Sequence, residues 1–145
     1  MEFVREIDGV KYYNDSIASS PTRTIAGLNS FNQKIILIAG GYDKHIPYDV
    51  IGKYIIDKVK LLLLVGDTSA KIKEAVLNEA RNNDLDLSKI LEIKEFEDLK
   101  SCVDYAKEKS QKGDMVVMSP ASASFDMYKD FEERGNYFKD LINNL

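Results

Sequence analysis

Strand-like apolar runs alternate with segments of helical period along this chain, and that alternation restricts the fold more than any other feature. The runs KIILIAG (34–40), LLLLVG (61–66) and MVVMS (115–119) are continuous and apolar, as in strands that are buried on both faces of a sheet. The run ILEIKEF (90–96) is predicted to be a further strand. Strands that alternate with helices require a parallel sheet with right-handed crossovers. We therefore predict an α/β fold, a Rossmann-like, mostly parallel sheet with helices on both faces.

The segments between these runs predict the helices that cover the sheet. Pro21 follows a serine, the residue type of an N-cap, so a helix is expected from Pro21 to about Ser30. Thr68 or Ser69 is expected to cap a later helix, and Gly113 is expected to close another just past its end. The apolar stripes of the remaining helices are predicted at Val50, Ile51, Tyr54, Ile55 and Val59; at Ile72, Val76 and Ala80; at Leu99, Val103 and Ala106; and at Phe138, Leu141, Ile142 and Leu145.

The first residues and the length complete the predicted architecture. Phe3–Ile7 and Val10–Tyr13 flank Asp8-Gly9, a dipeptide that readily adopts the positive φ angles of a two-residue turn, so the chain is expected to open with a β-hairpin. A chain of 145 residues without internal repeats or linkers fits one domain. We expect a single domain over residues 1–145.

Composition excludes several classes of function. The net charge is −4, so the average field repels a phosphate backbone, and nucleic acid is not an expected partner. No apolar run approaches the roughly 20 residues that cross a bilayer, and no signal peptide is visible, so no membrane association is expected. The single cysteine, Cys102, lies in a helical pattern and is typical of a buried thiol in a reducing compartment, which favours a cytoplasmic location.

Ligands of open α/β sheets bind beyond the carboxyl ends of the strands, so the loops there are the candidate binding segments. Residues 12–22 place Asp15 among hydroxyl residues before a helix, which ordinary turn and cap chemistry also explains. Residues 39–47 carry a Gly-Gly pair that lets backbone approach a ligand, and Lys44, which is either an anion contact or a solvated lysine. His45 has no cysteine or second histidine nearby and is expected to be a loop residue, not a metal ligand.

The third segment is SPASASFDMYKDFEERGNYF (119–138), which follows the last predicted strand. Its small residues are expected to leave free N–H groups at a helix start, where an anion would be favoured. Ser122 or Ser124 would add hydroxyl donors. Phe125 and Phe131 are either core residues or walls of the anion's pocket.

Together these segments resemble the C-terminal domain of the Mur ligases, ATP-dependent enzymes that add amino acids to the peptidoglycan precursor, and within that family the D-glutamate-adding members. The similarity lies in an NDS-x-A-[ST] turn at 14–19, a GG-x-x-K loop at 40–44 and the motif SPA-x-AS-[LF]-D-x-[FY]-x-x-F-x-x-RG at 119–135. In order and spacing these motifs cover nearly the whole chain.

The resemblance implies a function and a set of site residues. The family's reaction activates the carboxylate of UDP-N-acetylmuramoyl-L-alanine with ATP and Mg²⁺ and joins it to D-glutamate. By resemblance, Lys44 and Ser19 contact one carboxylate of D-glutamate, Ser124 and Phe125 hold the other, and Phe131 shapes the pocket. Asp15 matches the aspartate that approaches the nucleotide. The resemblance assigns this domain no catalytic residue and no metal ligand.

The sequence also departs from the family pattern. Ile17 stands where the family often has lysine, and Ser19 replaces the commoner threonine. The chain contains no P-loop, no acidic set for magnesium and no UDP-binding domain. We therefore expect this chain to be a fragment of a larger three-domain enzyme. The enzyme is expected to be a monomer, and the isolated fragment is expected to be inactive.

Two alternatives remain open. One is another amide ligase of the superfamily, a different Mur ligase or a folylpolyglutamate synthase. The other is a stand-alone flavodoxin-like or receiver-like binding module, although LIAGGYDK offers glycines where a receiver has an acidic cluster.

Overall fold

A single mixed sheet organises the part of the chain that the structure, a computed structural model, describes, namely residues 1–125 and 127–145. The six strands of this part lie in the order β1-β2-β6-β3-β4-β5. Their bounds are β1 (Glu2–Ile7), β2 (Val10–Asn14), β3 (Ile35–Ala39), β4 (Val59–Val65), β5 (Glu92–Phe96) and β6 (Met115–Met118). Strands β2 to β6 pair in parallel, and β1 pairs with β2 as an antiparallel hairpin. The predicted fold class and the predicted hairpin are confirmed.

The helices follow the predicted order with corrected ends. They are α1 (Pro21–Leu28), α2 (Ile51–Lys58), α3 (Ser69–Asn82), α4 (Leu99–Lys109) and α5 (Phe131–Asn143), with a short 3₁₀ turn at Leu87–Lys89. The prediction that Gly113 closes α4 is wrong, because α4 ends at Lys109 and Gly113 (φ +96°) lies in the turn before β6. The Thr68 hydroxyl makes no capping bond to α3. It is used in a tertiary contact instead.

Alternate residues of the central strands face two separate cores, one on each side of the sheet. On β3, Ile35 and Leu37 pack with helices α1 to α3. Ile36 and Ile38 pack with α4 and α5 on the opposite side. Both faces of the strand are therefore buried, which is why its sequence is apolar throughout and does not alternate. Helix α5 docks through its apolar stripe, as predicted, with Phe138 and Ile142 fully buried.

The strand order places the loops that follow β2, β3 and β6 next to one another at one edge of the sheet. Strand β6 lies between β2 and β3, so the carboxyl ends of these three parallel strands are adjacent. We name the loops that follow them loop A (15–20, after β2), loop B (40–50, after β3) and loop C (119–130, after β6). Of loop C, Asp126 is outside the described residues. Within the described ranges, no helix has the length and apolar content needed to cross a membrane.

Candidate functional site

Loops A, B and C are joined by backbone hydrogen bonds. The Ala121 amide of loop C donates to the carbonyl of Ala18 in loop A at 3.0 Å. The Gly40 amide of loop B donates to the carbonyl of Pro120 at 2.9 Å. The three segments singled out from the sequence therefore meet at one edge of the sheet, as the strand order requires.

Loop B and loop C bring a cation against an aromatic ring. The Lys44 side chain is exposed, and its Nζ lies 6.0 Å from the centroid of the Phe125 ring. Phe125 is 53% exposed and packs edge-on against Tyr42, with ring centroids 5.6 Å apart. The interpretation of Phe125 as a core residue is therefore wrong. A cation beside an exposed aromatic face suits a ligand that carries both negative charge and an apolar stem.

Ser124 precedes Phe125 in loop C. Its side chain is buried and lines a cavity of about 20 Å³ together with Gly40, Gly41, Tyr128 and Arg134. A space of that size holds about one water molecule.

Ser19 and Phe131 lie on the side of loop A. Ser19 is half-buried, and its hydroxyl lies 3.4 Å from the carbonyl of Ile17. Phe131 lines a cleft of about 280 Å³ with Ile17 and Lys139. Within residues 1–125 and 127–145, no hydrogen bond or ring contact joins Ser19 or Phe131 to Lys44. The predicted residues thus fall into two groups: Ser19 and Phe131 are associated with loop A, and Lys44, Ser124 and Phe125 belong to loops B and C.

Asp15 occupies a fixed position in loop A. Its carboxylate is buried, and Oδ2 accepts a hydrogen bond from the Ser119 hydroxyl at 2.8 Å. Asp15 lines a cleft of about 350 Å³ that also contains Arg23 and Gly27. Because the carboxylate is anchored from loop C, it has a defined orientation towards this cleft.

The small residues that follow β6 do not form the predicted helix start. No helix begins within the described part of 119–130; α5 begins at Phe131, and the side chain of Asp130 caps it by accepting from the Glu133 amide at 2.8 Å. The small residues serve close packing. A Cβ on Gly41 would lie 2.6 Å from the carbonyl oxygen of Ala123, so the two loops approach more closely than larger residues permit.

A buried chain of hydroxyl groups, which sequence reasoning missed, holds loops B and C together. Gly41 N–H donates to Thr68 Oγ1 (3.0 Å), and the Tyr48 hydroxyl donates to the Ala121 carbonyl (2.9 Å). Ser122 Oγ lies between them, 2.7 Å from Thr68 Oγ1 and 2.9 Å from Tyr48 Oη. Since the two ends are fixed, each hydroxyl donates once in the direction Gly41, Thr68, Ser122, Tyr48, Ala121. Burial raises the pKa of Tyr48, which keeps its proton available for this chain.

Arg134 of α5 was also missed. It is 3% exposed and reaches from the first turns of α5 into loops A and C. A charged residue at this position is normally read as solvent-facing, and the only hint was the Arg-Gly pair that ends the third motif.

Metal binding has no support in the described residues. Over 1–125 and 127–145, no group of three or more His, Cys, Asp or Glu side chains is arranged to hold a metal ion. The His45 side chain is 87% exposed, which confirms its prediction as a loop residue. The described residues therefore offer no set of ligands that fits Mg²⁺.

The fold and the site define a class: an α/β domain that offers a cation, hydroxyls and small-residue loops at the carboxyl edge of its parallel strands. Comparison with known proteins narrows this class. The family model described as "Mur ligase, glutamate ligase domain" matches residues 1–122. The chain belongs to the Mur ligase family, which confirms the resemblance read from its motifs.

Individual relatives agree with this assignment. The chain is 55% identical over 145 residues to a UDP-N-acetylmuramoylalanine–D-glutamate ligase of Acetivibrio thermocellus, covering 100% of this chain and 31% of that protein. It is 53% identical over 144 residues to the ligase of the same name from Clostridium acetobutylicum, covering 99% and 30%. The chain thus spans about a third of the length of these relatives. The crystal structure of a murein peptide ligase from Psychrobacter arcticus shares the fold, with a TM-score of 0.60 at 14% identity over 100% of this chain and 30% of the other.

Proposed function

We propose that this chain is the C-terminal domain of a longer UDP-N-acetylmuramoylalanine–D-glutamate ligase and that it binds D-glutamate and presents its amine to an activated carboxylate. The observation that carries the proposal is the contact of Lys44 in loop B with the exposed ring of Phe125 in loop C, which follows the buried Ser124 in sequence. The relatives that exceed 50% identity over the whole chain and carry that enzyme's name support it.

The substrate would bridge these two groups of residues. D-Glutamate carries two carboxylates, which need convergent N–H and hydroxyl donors and at least one cation. The Lys44 ammonium and the Ser19 hydroxyl would hold one carboxylate. Ser124, with the backbone around Phe125, would hold the other, and Phe131 would limit the pocket on the side of loop A. Because Ser19 and Lys44 are not in contact, the ligand itself would complete the site.

The contribution of this domain to the reaction would be orientation. In the proposed reaction, a carboxylate oxygen of UDP-N-acetylmuramoyl-L-alanine attacks the γ-phosphorus of ATP, and the bond to the bridging oxygen breaks, which gives an acyl phosphate and ADP. The amine of D-glutamate then attacks the acyl carbon, loses a proton, and inorganic phosphate leaves as the amide forms. Holding the amine near the acyl carbon removes an entropic cost of several kcal/mol, roughly 7–11 in the best intramolecular cases.

Asp15 is the residue of this chain that we place next to ATP. Its anchored carboxylate faces a cleft wide enough for part of a nucleotide, and Arg23 in the same cleft adds a cation. We assign this chain no magnesium ligand, since its described residues contain no suitable cluster.

The proposal is tested by lysine substitution in the full-length ligase that contains this chain. We expect Lys44→Ala to raise the KM for D-glutamate by about 10- to 100-fold, the effect of losing one charge-assisted hydrogen bond of roughly 1.5–3 kcal/mol, and to leave the KM for ATP nearly unchanged. Lys53→Ala is the matched control, because the Lys53 ammonium also lies over an aromatic ring, 5.9 Å from that of Tyr54, but on α2. Equal KM values for D-glutamate in the two variants would contradict the proposal.

A substrate panel separates the proposed amino acid from others. Preference of the full-length enzyme for L-lysine, diaminopimelate or L-glutamate over D-glutamate would remove the assignment. The isolated 145-residue chain is expected to show no ligase turnover, because the proposed reaction needs the nucleotide-binding and UDP-binding parts of the enzyme.

A further inference from the structure

Arg134 is a buried cation that contacts loops A and C at once. Its Nε–H donates to Ser16 Oγ at 2.9 Å, and Nη2 donates to the carbonyl of Ser16 at 2.7 Å. Its Nη1 donates to the carbonyl of Ser122 at 2.9 Å. One guanidinium thus links two loops that are more than a hundred residues apart in sequence and ties both to α5.

The acceptors of Arg134 are all uncharged. Among residues 1–125 and 127–145, no carboxylate lies within ion-pair distance of this guanidinium. Burial lowers its pKa to about 10, so the group is still protonated at neutral pH. Burying a cation against neutral oxygens is costly for stability alone, which is a reason to look for a role beyond packing.

The backbone around Arg134 is shaped for this reach. A Cβ on Gly135 would lie 2.9 Å from Asn14 Nδ2 and 3.2 Å from Ser16 Cβ, so a larger residue would have to displace these side chains where α5 approaches loop A. A Cβ on Gly41 would lie 3.3 Å from Arg134 Nη1. The Arg-Gly pair and the second glycine of loop B therefore act together in seating the guanidinium.

Ser16 connects this link to Phe131. While Ser16 Oγ accepts from Arg134, it donates to the carbonyl of Phe131 at 2.6 Å. Ser16 stands three residues before Ser19, and Ser122 stands two residues before Ser124. The residues that Arg134 grips are thus close in sequence to both groups of proposed D-glutamate contacts.

We propose that Arg134 is a positioning residue for D-glutamate: by holding Ser16 and Ser122 at a fixed separation, it sets the distance between the Ser19–Phe131 side and the Ser124–Phe125 side of the pocket. The inference rests on the proposed function of these contacts. It depends on the fork of the guanidinium, because a lysine ammonium at the same place is a point charge without the planar, divergent donors that reach three acceptors.

The test is the kinetics of Arg134→Lys in the full-length ligase. We expect the KM for D-glutamate to rise by about 10- to 100-fold, because small displacements of positioning groups have effects of that order, while the KM for ATP changes by less than about threefold. Arg81→Lys is the matched control, since Arg81 is an exposed arginine of α3 paired with Glu74. A purely structural role would lower the active fraction and leave both KM values unchanged, and that result would overturn the inference.

Ser16→Ala is the second variant, and it tests the positioning role of Arg134 if Arg134→Lys does not fold. It removes the hydroxyl that links Arg134 to Phe131, and we expect a rise of about 3- to 10-fold in the KM for D-glutamate. A wild-type KM in Ser16→Ala would overturn the inference. Where both variants fold, their combination should raise the KM less than the product of the single effects, since they break the same link.

Failure of the inference is distinguishable from failure of the proposed function. If Lys44→Ala leaves the KM for D-glutamate unchanged, the proposed site itself is wrong. If Lys44→Ala raises this KM while Arg134→Lys and Ser16→Ala do not, the site stands and only the positioning role of Arg134 is refuted.

Discussion

Replacement of Tyr48 by phenylalanine tests the buried hydroxyl chain between loops B and C. The substitution keeps the ring, so it creates almost no cavity and isolates the hydroxyl. Tyr48 is 3% exposed, and its hydroxyl contacts the Ala121 carbonyl and Ser122 Oγ, both at 2.9 Å. Its loss leaves the Ala121 carbonyl without this donor and the Ser122 hydroxyl without this acceptor.

The expected cost follows from these two groups. Ala121 is 0% and Ser122 is 1% exposed, so water does not replace the lost partner at either position without local opening. An unsatisfied buried polar group costs about 1–3 kcal/mol, and reorientation of the Ser122 hydroxyl recovers part of the total. We therefore expect the free energy of unfolding to fall by about 1–3 kcal/mol and Tm to fall by about 3–10 °C.

Urea unfolding followed by circular dichroism measures this change, with Tyr54→Phe as the matched control. Tyr54 is a half-buried residue of α2 that packs against the core on the side of α1 to α3. Within the described residues its hydroxyl makes no hydrogen bond, so we expect a change within about 0.5 kcal/mol. Thr68→Val should be non-additive with Tyr48→Phe, because both interrupt the same chain. If Tyr48→Phe is as stable as Tyr54→Phe, the assigned donor order is wrong.

Two further predictions concern backbone and thiol chemistry. Gly40→Ala should abolish or strongly reduce folded protein in an expression and circular-dichroism test, because Gly40 has a φ of +108° and an added Cβ would lie 1.9 Å from the Val65 carbonyl oxygen. Gly113→Ala is the control: its φ is +96° but no atom lies within 4 Å of an added Cβ, so it should cost only about 1–2 kcal/mol of backbone strain, and equal effects of the two substitutions would argue against the close approach at Gly40. The Cys102 thiol should not react with a thiol reagent in the native protein at pH 8, because burial raises its pKa to about 12 and leaves it protonated and inaccessible; fast modification without denaturant would refute this.

The sheet and its two cores were predictable because burial on both faces leaves a strong pattern. Strands β3 and β4 are apolar at nearly every position, and turn residues bound them. The hairpin was predictable from Asp8-Gly9, whose residues have φ of 52° and 80°. In each case local chemistry and tertiary burial point to the same structure.

The errors arise where a residue type serves two purposes. Small residues such as Ser122 are typical of a helix start, and they are equally suited to loops that pack backbone against backbone. Thr68 is a good N-cap by propensity, yet its hydroxyl is engaged by Gly41 and Ser122, which no local pattern reveals. Charged residues of a helix usually face water, but Arg134 is buried because its hydrogen-bond partners, Ser16 and Ser122, lie in two loops that are distant from each other in sequence. Such contacts are invisible to periodicity.

The central place of β6 in the sheet has a consequence for the order of folding. In the part of the chain that the structure describes, the hairpin pairs with the rest of the sheet only through β6. Tyr12 lies opposite Val116, more than a hundred residues later in the sequence. Closing a loop of that length costs conformational entropy before any stabilising contact between the strands has formed, so such pairings form slowly. During synthesis on the ribosome, β2 could pair with β6 only after nearly all of these 145 residues had emerged. The junction between loops A and C would therefore be among the last parts of the molecule to form.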